Sequence, residues 1–175
     1  MEKQQKKIAI IGLGYVGLPL AIAFSEFYKV CGYDVNSTRI SELNNSIDTN
    51  GDIIFSINDK LDFTDDEKKL TSSNIFIVTV PTPVTANNIP DLSILEIATR
   101  MIAKYIRKGD IVIYESTVYP GVTEEICVPI LEEGSGLKYN FDFYCGYSPE
   151  RISPGADKYS LENVVKVTSG STLEV

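Results

Sequence analysis

The sequence contains no histidine. That removes the commonest general base and metal ligand, so any proton transfer falls to Glu, Asp, Lys or a water held by Ser or Thr. Cysteine is scarce: Cys31, Cys127 and Cys145 are odd in number, far apart and without paired spacing, which argues against a disulfide framework and against a zinc site. Free thiols in a reducing compartment are expected. No apolar run approaches the ~18 residues that a bilayer span needs, and the charged start at residues 1–7 leads into a short strand rather than a signal-type segment. The expectation is a soluble, cytoplasmic protein with no membrane partner. Basic residues are also outnumbered, 16 Lys and Arg against 24 Asp and Glu, and the net charge of −8 argues against nucleic acid as a partner. A small anionic ligand is still accommodated, because backbone N–H groups at a helix start outweigh a diffuse surface charge at contact range.

What is present suits one domain with a real core: 175 residues, 43% of them apolar, read as a single unit over residues 1–175. Lys7-Ile8-Ala9-Ile10-Ile11 is a continuous run of strand formers, as in a parallel strand buried on both faces, and it ends at a glycine. Val16, Leu20, Ala23, Phe24 and Phe27 then form one helical stripe, and Val30-Cys31-Gly32-Tyr33-Asp34 a second strand. Residues 44–73 are polar, with one weak helix, a short strand near Leu61 to Phe63 and a charged helical turn after it. Residues 74–80 are a strong strand stopped by Pro81 and Pro83.

Asp91 or Ser93, the latter with Glu96 as a capping box, opens a helix with Ile94, Ile97, Ala98, Met101, Ile102 and Tyr105 on one apolar face and Gly109 closing it. A strand at 111–114, a helix over 120–133 ending at Gly134, a strand at 141–147 and a last strand at 164–168 complete the alternation. Strands alternating with helices predict an α/β fold with a doubly wound, mostly parallel sheet.

The chemistry is concentrated at strand ends. Gly12-Leu13-Gly14-Tyr15-Val16-Gly17 is a G-x-G-x-x-G between the first strand and its helix, and Asp34 ends the second strand. Gly12 permits a tight turn, Gly14 lets the backbone approach a pyrophosphate, and Gly17 lets helix and strand pack closely, while the helix start supplies N–H donors and a positive dipole. Asp34 can accept from ribose hydroxyls and would repel a 2′-phosphate, so NAD is favoured over NADP. Arg39 either reaches the adenine or ribose or is a solvated helix arginine, the commoner fate.

In a doubly wound sheet the ligand lies where the strand order reverses, so the Thr79-Val80-Pro81-Thr82-Pro83 loop should face the glycine turn. Thr82 there either offers its hydroxyl toward the ribose or nicotinamide or sits solvated in a proline-rich turn. Glu115-Ser116-Thr117 ends the next strand; Thr117 holds a water or the substrate hydroxyl, or else Ser116 or Thr117 merely caps the turn. The last such edge, from Tyr147 to Gly155, carries Glu150 and Arg151 between two prolines. Without histidine, Glu150 is the best candidate to handle a proton or order a water, the alternative being a surface ion pair with Arg151.

Together these motifs resemble, in order, the N-terminal domain of the UDP-glucose/GDP-mannose dehydrogenase family: Gly12-Leu13-Gly14-Tyr15-Val16-Gly17-Leu18-Pro19-Leu20-Ala21, Val80-Pro81-Thr82-Pro83, Glu115-Ser116-Thr117 and Ser148-Pro149-Glu150. Residues 114–121 and 147–155 are similar to the branch acting on UDP-N-acetylhexosamines; Arg151-Ile152 stand where UDP-glucose enzymes usually carry Phe-Leu, and Pro154 where they carry a second Glu. The resemblance implies a Rossmann-type NAD-binding domain, without the central helix and C-terminal UDP-binding domain of a whole member.

It also implies oxidation of a C6 alcohol to a carboxylate with two NAD, through an aldehyde and a cysteine-bound thioester. By resemblance, Tyr15, Val16, Asp34, Arg39, Pro81, Thr82, Ser116 and Thr117 meet NAD, Thr117 helps hold the catalytic water, Glu150 assists hydrolysis, and Glu150, Arg151 and Ile152 touch the substrate. The family's nucleophilic cysteine has no counterpart here, since Cys31, Cys127 and Cys145 read as small core residues. The chain alone is therefore expected to bind NAD weakly without turnover, the full-length protein to be a homodimer and this chain a monomer. UDP-glucose oxidation, a 3-hydroxyacid-type dehydrogenase sharing the glycine opening, and a non-catalytic NAD-sensing module are the other readings.

Overall fold

β1 (Lys7–Ile11) lies at the middle of a seven-stranded sheet, and its composition accounts for the position. Ile8 and Ile10 point to one face and Ala9 and Ile11 to the other, all at most 3% exposed, so the strand needs apolar cover on both sides. The computed structural model describes residues 5–51, 53–150 and 165–173. Its sheet runs β3 (Leu61–Thr64), β2 (Lys29–Tyr33), β1, β4 (Ile75–Val78), β5 (Ile111–Tyr114), β6 (Tyr144–Tyr147) and β7 (Ser169–Gly170). All neighbours are parallel except β7, which pairs antiparallel with β6. The expected doubly wound, mostly parallel sheet is what the chain forms, and the strand order reverses between β1 and β4.

One face is covered by α1 (Gly17–Ser25) and α2 (Ser37–Asn44), whose Leu18, Leu20, Ala21, Ile40 and Leu43 pack with Ile8, Ile10, Val30 and Phe63. The other is covered by α3 (Ser93–Ala103) and α4 (Val128–Ser135), where Leu95, Ile102 and Leu131 meet Phe76, Val112 and Tyr114. Tyr114 keeps its hydroxyl satisfied in this core through Thr99, 3.2 Å away, while Thr99 donates to the Leu95 carbonyl.

Several local expectations are corrected. The stripe on α1 fails at its end, where Phe27 is exposed beyond the last helical turn. The weak helix expected after residue 44 instead ends there, as α2, and residues 45–60 hold no helix or strand among those described. Ser93 is the first residue of α3 rather than its cap, and Asp91 accepts the Ser93 N–H at 2.9 Å in its place. Gly109 lies beyond α3, in the turn leading to β5 with φ 90°.

The helix expected over 120–133 is present over 122–135, with a π segment inside it. A π-turn over Thr123–Cys127 precedes α4, as Pro129 has no N–H and its ring would strike the carbonyl four residues back. The left-handed cap is Gly136 (φ 72°), not Gly134, which packs inside α4 with a hypothetical Cβ 2.7 Å from that of Ala103. The strand expected at 141–147 starts at Tyr144. The last strand is only Ser169–Gly170, residues 165–168 lying outside regular structure and Val164 outside the described residues.

Candidate functional site

At the reversal point the chain turns sharply from β1 into α1. Gly12 takes φ 94°, a conformation a side chain would strain, and its N–H donates to the Tyr33 carbonyl at 2.8 Å. Thr79, just after β4, locks the turn from below: its hydroxyl donates to the Gly12 carbonyl at 2.7 Å and lies 3.1 Å from that of Ile11. A Cβ on Gly17 would stand 1.9 Å from the Gly12 carbonyl oxygen, while one on Gly14 would meet nothing within 4 Å. Gly17 is thus a packing residue beneath the turn, and Gly14 faces open space above it.

No side chain caps the start of α1, and its first turn carries no acidic residue. That leaves the N–H donors and the positive end of the dipole at this terminus uncompensated by the protein's own side chains, as an anionic ligand requires. A cleft of about 970 Å³ opens here, large enough for a dinucleotide. Gly12, Gly14, Tyr15, Val16, Asp34, Arg39, Pro81, Thr82, Ser116, Thr117 and Glu150 all line it, so the structure brings these predicted residues to one place. Gly17 does not line it, and Arg151 and Ile152 lie outside the described residues.

Asp34 stands at the tip of β2 with both carboxylate oxygens engaged, Oδ2 accepting the Leu13 N–H at 2.8 Å and Oδ1 the Asn36 N–H at 2.9 Å. Each oxygen keeps a further lone pair for a ribose hydroxyl. Asn36 in turn caps α2 by accepting from Thr38 and Arg39, a contribution of about 1 kcal/mol. The solvated reading of Arg39 is overturned: the residue is 4% exposed, its Nε donates to the Leu13 carbonyl at 3.1 Å, and Nη2 lies 2.7 Å from Asp48.

The floor consists of the loops after β4 and β5. Thr82 donates to the Thr117 carbonyl at 2.5 Å and Ser116 to the Val80 carbonyl at 2.6 Å, so both hydroxyls bridge the two loops. The Thr117 side chain is left exposed on the cleft. Beside it, buried Glu115 pairs with Lys166 from the segment before β7. Burial pushes the Glu115 carboxyl up, the Lys166 ammonium pulls it back, and the nearby Glu150 carboxylate adds to the rise. Sequence reasoning passed over Thr79, Asp48 and Lys166. Only Thr79, at a strand end facing the glycine turn, carried a signal that could have been read.

Ile94 and Ile97, assigned by periodicity to the buried face of α3, instead line the cleft, with Ile97 66% exposed. None of the three cysteines reaches it. Each is free and buried, and burial raises the Cys31 thiol to about 11, with a rise at Cys127 and Cys145 as well. Thiol reagents at pH 8 should label none of them in the folded protein and all three in denaturant; rapid labelling of native protein, read by mass spectrometry, would contradict this placement.

A doubly wound sheet whose reversal point joins a strained glycine turn, an uncapped helix start and an acidic strand tip defines a dinucleotide-binding domain. Residues 6–174 match the model of the UDP-glucose/GDP-mannose dehydrogenase family, NAD binding domain. The chain belongs to that family, and its cofactor is NAD, which the open space over Gly14 and the carboxylate of Asp34 fit. It is similar to the UDP-N-acetyl-D-glucosamine 6-dehydrogenase of Pseudomonas aeruginosa, 51% identical over 172 residues that are 97% of this chain and 41% of the relative. The enzyme of that name from Salmonella typhi is 51% identical over 97% of this chain and 40% of its own length. Among solved structures, UDP-D-ManNAc dehydrogenase from Pyrococcus horikoshii matches with a TM-score of 0.83 at 36% identity, covering 96% of this chain and 42% of that one. The chain thus spans about two fifths of the relatives it matches. Among the described residues no helix is long and apolar enough to cross a membrane.

Proposed function

We propose that this chain is the NAD-binding part of a dehydrogenase that oxidises the C6 hydroxyl of a UDP-N-acetylhexosamine to a carboxylate, using two NAD. The observation that carries the reading is 51% identity, across nearly the whole chain, to proteins named UDP-N-acetyl-D-glucosamine 6-dehydrogenases. Bound NAD supplies the hydride acceptor. The chain's own part is to seat and orient it: Gly12, Gly14 and the α1 terminus toward the pyrophosphate, Tyr15 and Val16 beside them, Asp34 and Arg39 toward the adenosine ribose. Pro81, Thr82, Ser116 and Thr117 form the opposite wall.

Thr117 exposes its side chain on the cleft that Glu150 also lines, and together the two are suited to hold a water against the oxidised carbon. Arg151 and Ile152 follow Glu150 in sequence and complete the substrate side of this reading. Residues 1–175 act as one domain in a cytoplasmic enzyme, which suits three unpaired cysteines. The full-length protein is a homodimer and this chain alone a monomer. No activated thiol stands in the cleft among the described residues, so the chain alone binds NAD without turnover.

The test supplies UDP-GlcNAc, UDP-GalNAc, UDP-glucose and 3-hydroxy acids to the full-length protein and follows NADH at 340 nm. Two NADH per UDP-N-acetylhexosamine is the expected result. Turnover of 3-hydroxy acids alone, or no NADH with any substrate, would overturn the proposal.

A further inference from the structure

We infer that Asp48, which lies outside both the glycine turn and the β2 tip, sets the cleft's preference for NAD over NADP by neutralising Arg39; this rests on the cofactor reading of the cleft. An arginine close behind the second strand is the group that dinucleotide-binding domains use to accept a 2′-phosphate. Arg39, five residues past Asp34, stands where it could play that part. The structure places its charge against another carboxylate.

Its Nε donates to the carbonyl of Leu13, whose own N–H donates to Asp34, so the side chain is linked through one residue to the carboxylate that the cofactor reading gives to the ribose. Its ion pairs, however, are with Asp48 at 2.7 Å and Glu42 at 3.7 Å, and it makes none with Asp34. Arg39 and Asp48 are 5% and 4% exposed at their side chains, so water screens the pair little. Asp48 is fixed by the Asn50 N–H at 3.2 Å, and Thr49 donates to Glu42 at 2.6 Å, which folds the 48–50 loop against α2. Glu42, Thr49 and Asn50 line the same cleft.

Two consequences follow. The guanidinium's charge is already balanced by Asp48 and Glu42, although among the described residues neither Nη1 nor Nη2 makes a hydrogen bond, and the charge of Asp34 is left without an ion pair to repel a 2′-phosphate. Glu42 and Asp48 both pair with Arg39, while Asp34, on the same cleft, is met among the described residues only by the Leu13 and Asn36 N–H groups. Taking away the charge of Asp48 leaves Arg39 with only the more distant Glu42, and an added phosphate becomes its stronger partner.

The test is titration of the full chain with NAD and with NADP, in wild type, Asp48→Asn, Asp48→Glu and the double variant Arg39→Gln/Asp48→Asn. Wild type should prefer NAD. In Asp48→Asn the ratio of the two dissociation constants should narrow about tenfold, the size of one charged hydrogen bond. Asp48→Glu should restore the wild-type ratio, and the double variant should lose the gain, since the effect passes through Arg39. A merely structural Asp48 would weaken both dinucleotides equally. If Asp48→Asn does not fold, Glu42→Gln weakens the same neutralisation at a more exposed site and should narrow the ratio about twofold. Wild type that binds NAD, with an unchanged ratio in whichever of these variants folds, overturns the inference alone. Wild type that binds neither dinucleotide at millimolar concentration overturns the cofactor reading and the inference with it.

Discussion

Gly17→Ala is expected to cost the domain about 3 kcal/mol or more and to remove NAD binding with it, whereas Gly14→Ala should leave stability within about 1 kcal/mol and lose binding alone. The difference lies in what each new methyl would meet. At Gly17 it would lie 1.9 Å from the Gly12 carbonyl oxygen and 2.6 Å from the Thr79 hydroxyl. Both are fixed, one by the strained turn and the other by its bonds to the turn, so α1 must move off β1 to make room. At Gly14 nothing stands within 4 Å, and the methyl would project into the space that the proposed reading gives to the pyrophosphate. Urea denaturation and NAD titration on both variants separate the cases. A Gly17→Ala protein as stable as wild type would show that the turn yields.

Asp34→Ala should weaken NAD by ten- to a hundredfold, the loss expected when ribose hydroxyls give up a charged acceptor. It should also cost about 1–3 kcal/mol of stability, because the Leu13 and Asn36 N–H groups lose their acceptors at 2.8 and 2.9 Å. Asp34→Asn isolates the charge, since its amide oxygen can still accept one of those N–H groups. It should recover part of the stability and relax the exclusion of NADP. Calorimetric titration with both dinucleotides checks this, and unchanged NAD affinity in Asp34→Ala would show that the ribose is not held at the β2 tip.

The central strands were legible because burial on both faces demands unbroken apolar runs, as in Ile8 to Ile11 and Ile75 to Val78. The glycine turn, Asp34 and the Pro81 loop could be read for a related reason: each is a strand end, and the ligand edge of such a sheet follows from topology. Where the reading failed, a distant partner decided. Gly134 looks like a helix end, yet Ala103 across the α3–α4 packing explains it, and the backbone turns at Gly136 instead. On α3 the expected apolar face holds at Ala98, Met101 and Ile102 but fails at Ile94 and Ile97, which face the cleft, so a ligand wall there imitated a core face. Arg39 with Asp48, and Glu115 with Lys166, are long-range ion pairs between charges that any surface could carry, and spacing gives no sign of them.

The crossed hydroxyl-to-carbonyl bonds, Thr82 to Thr117 and Ser116 to Val80, bind neighbouring loops in opposite senses. Neither loop can shift without dragging its neighbour. Whatever presses on the proline turn therefore displaces the Thr117 backbone too, and on the proposed reading the groups toward the reacting carbon are registered to those toward the cofactor as teeth are to one gear.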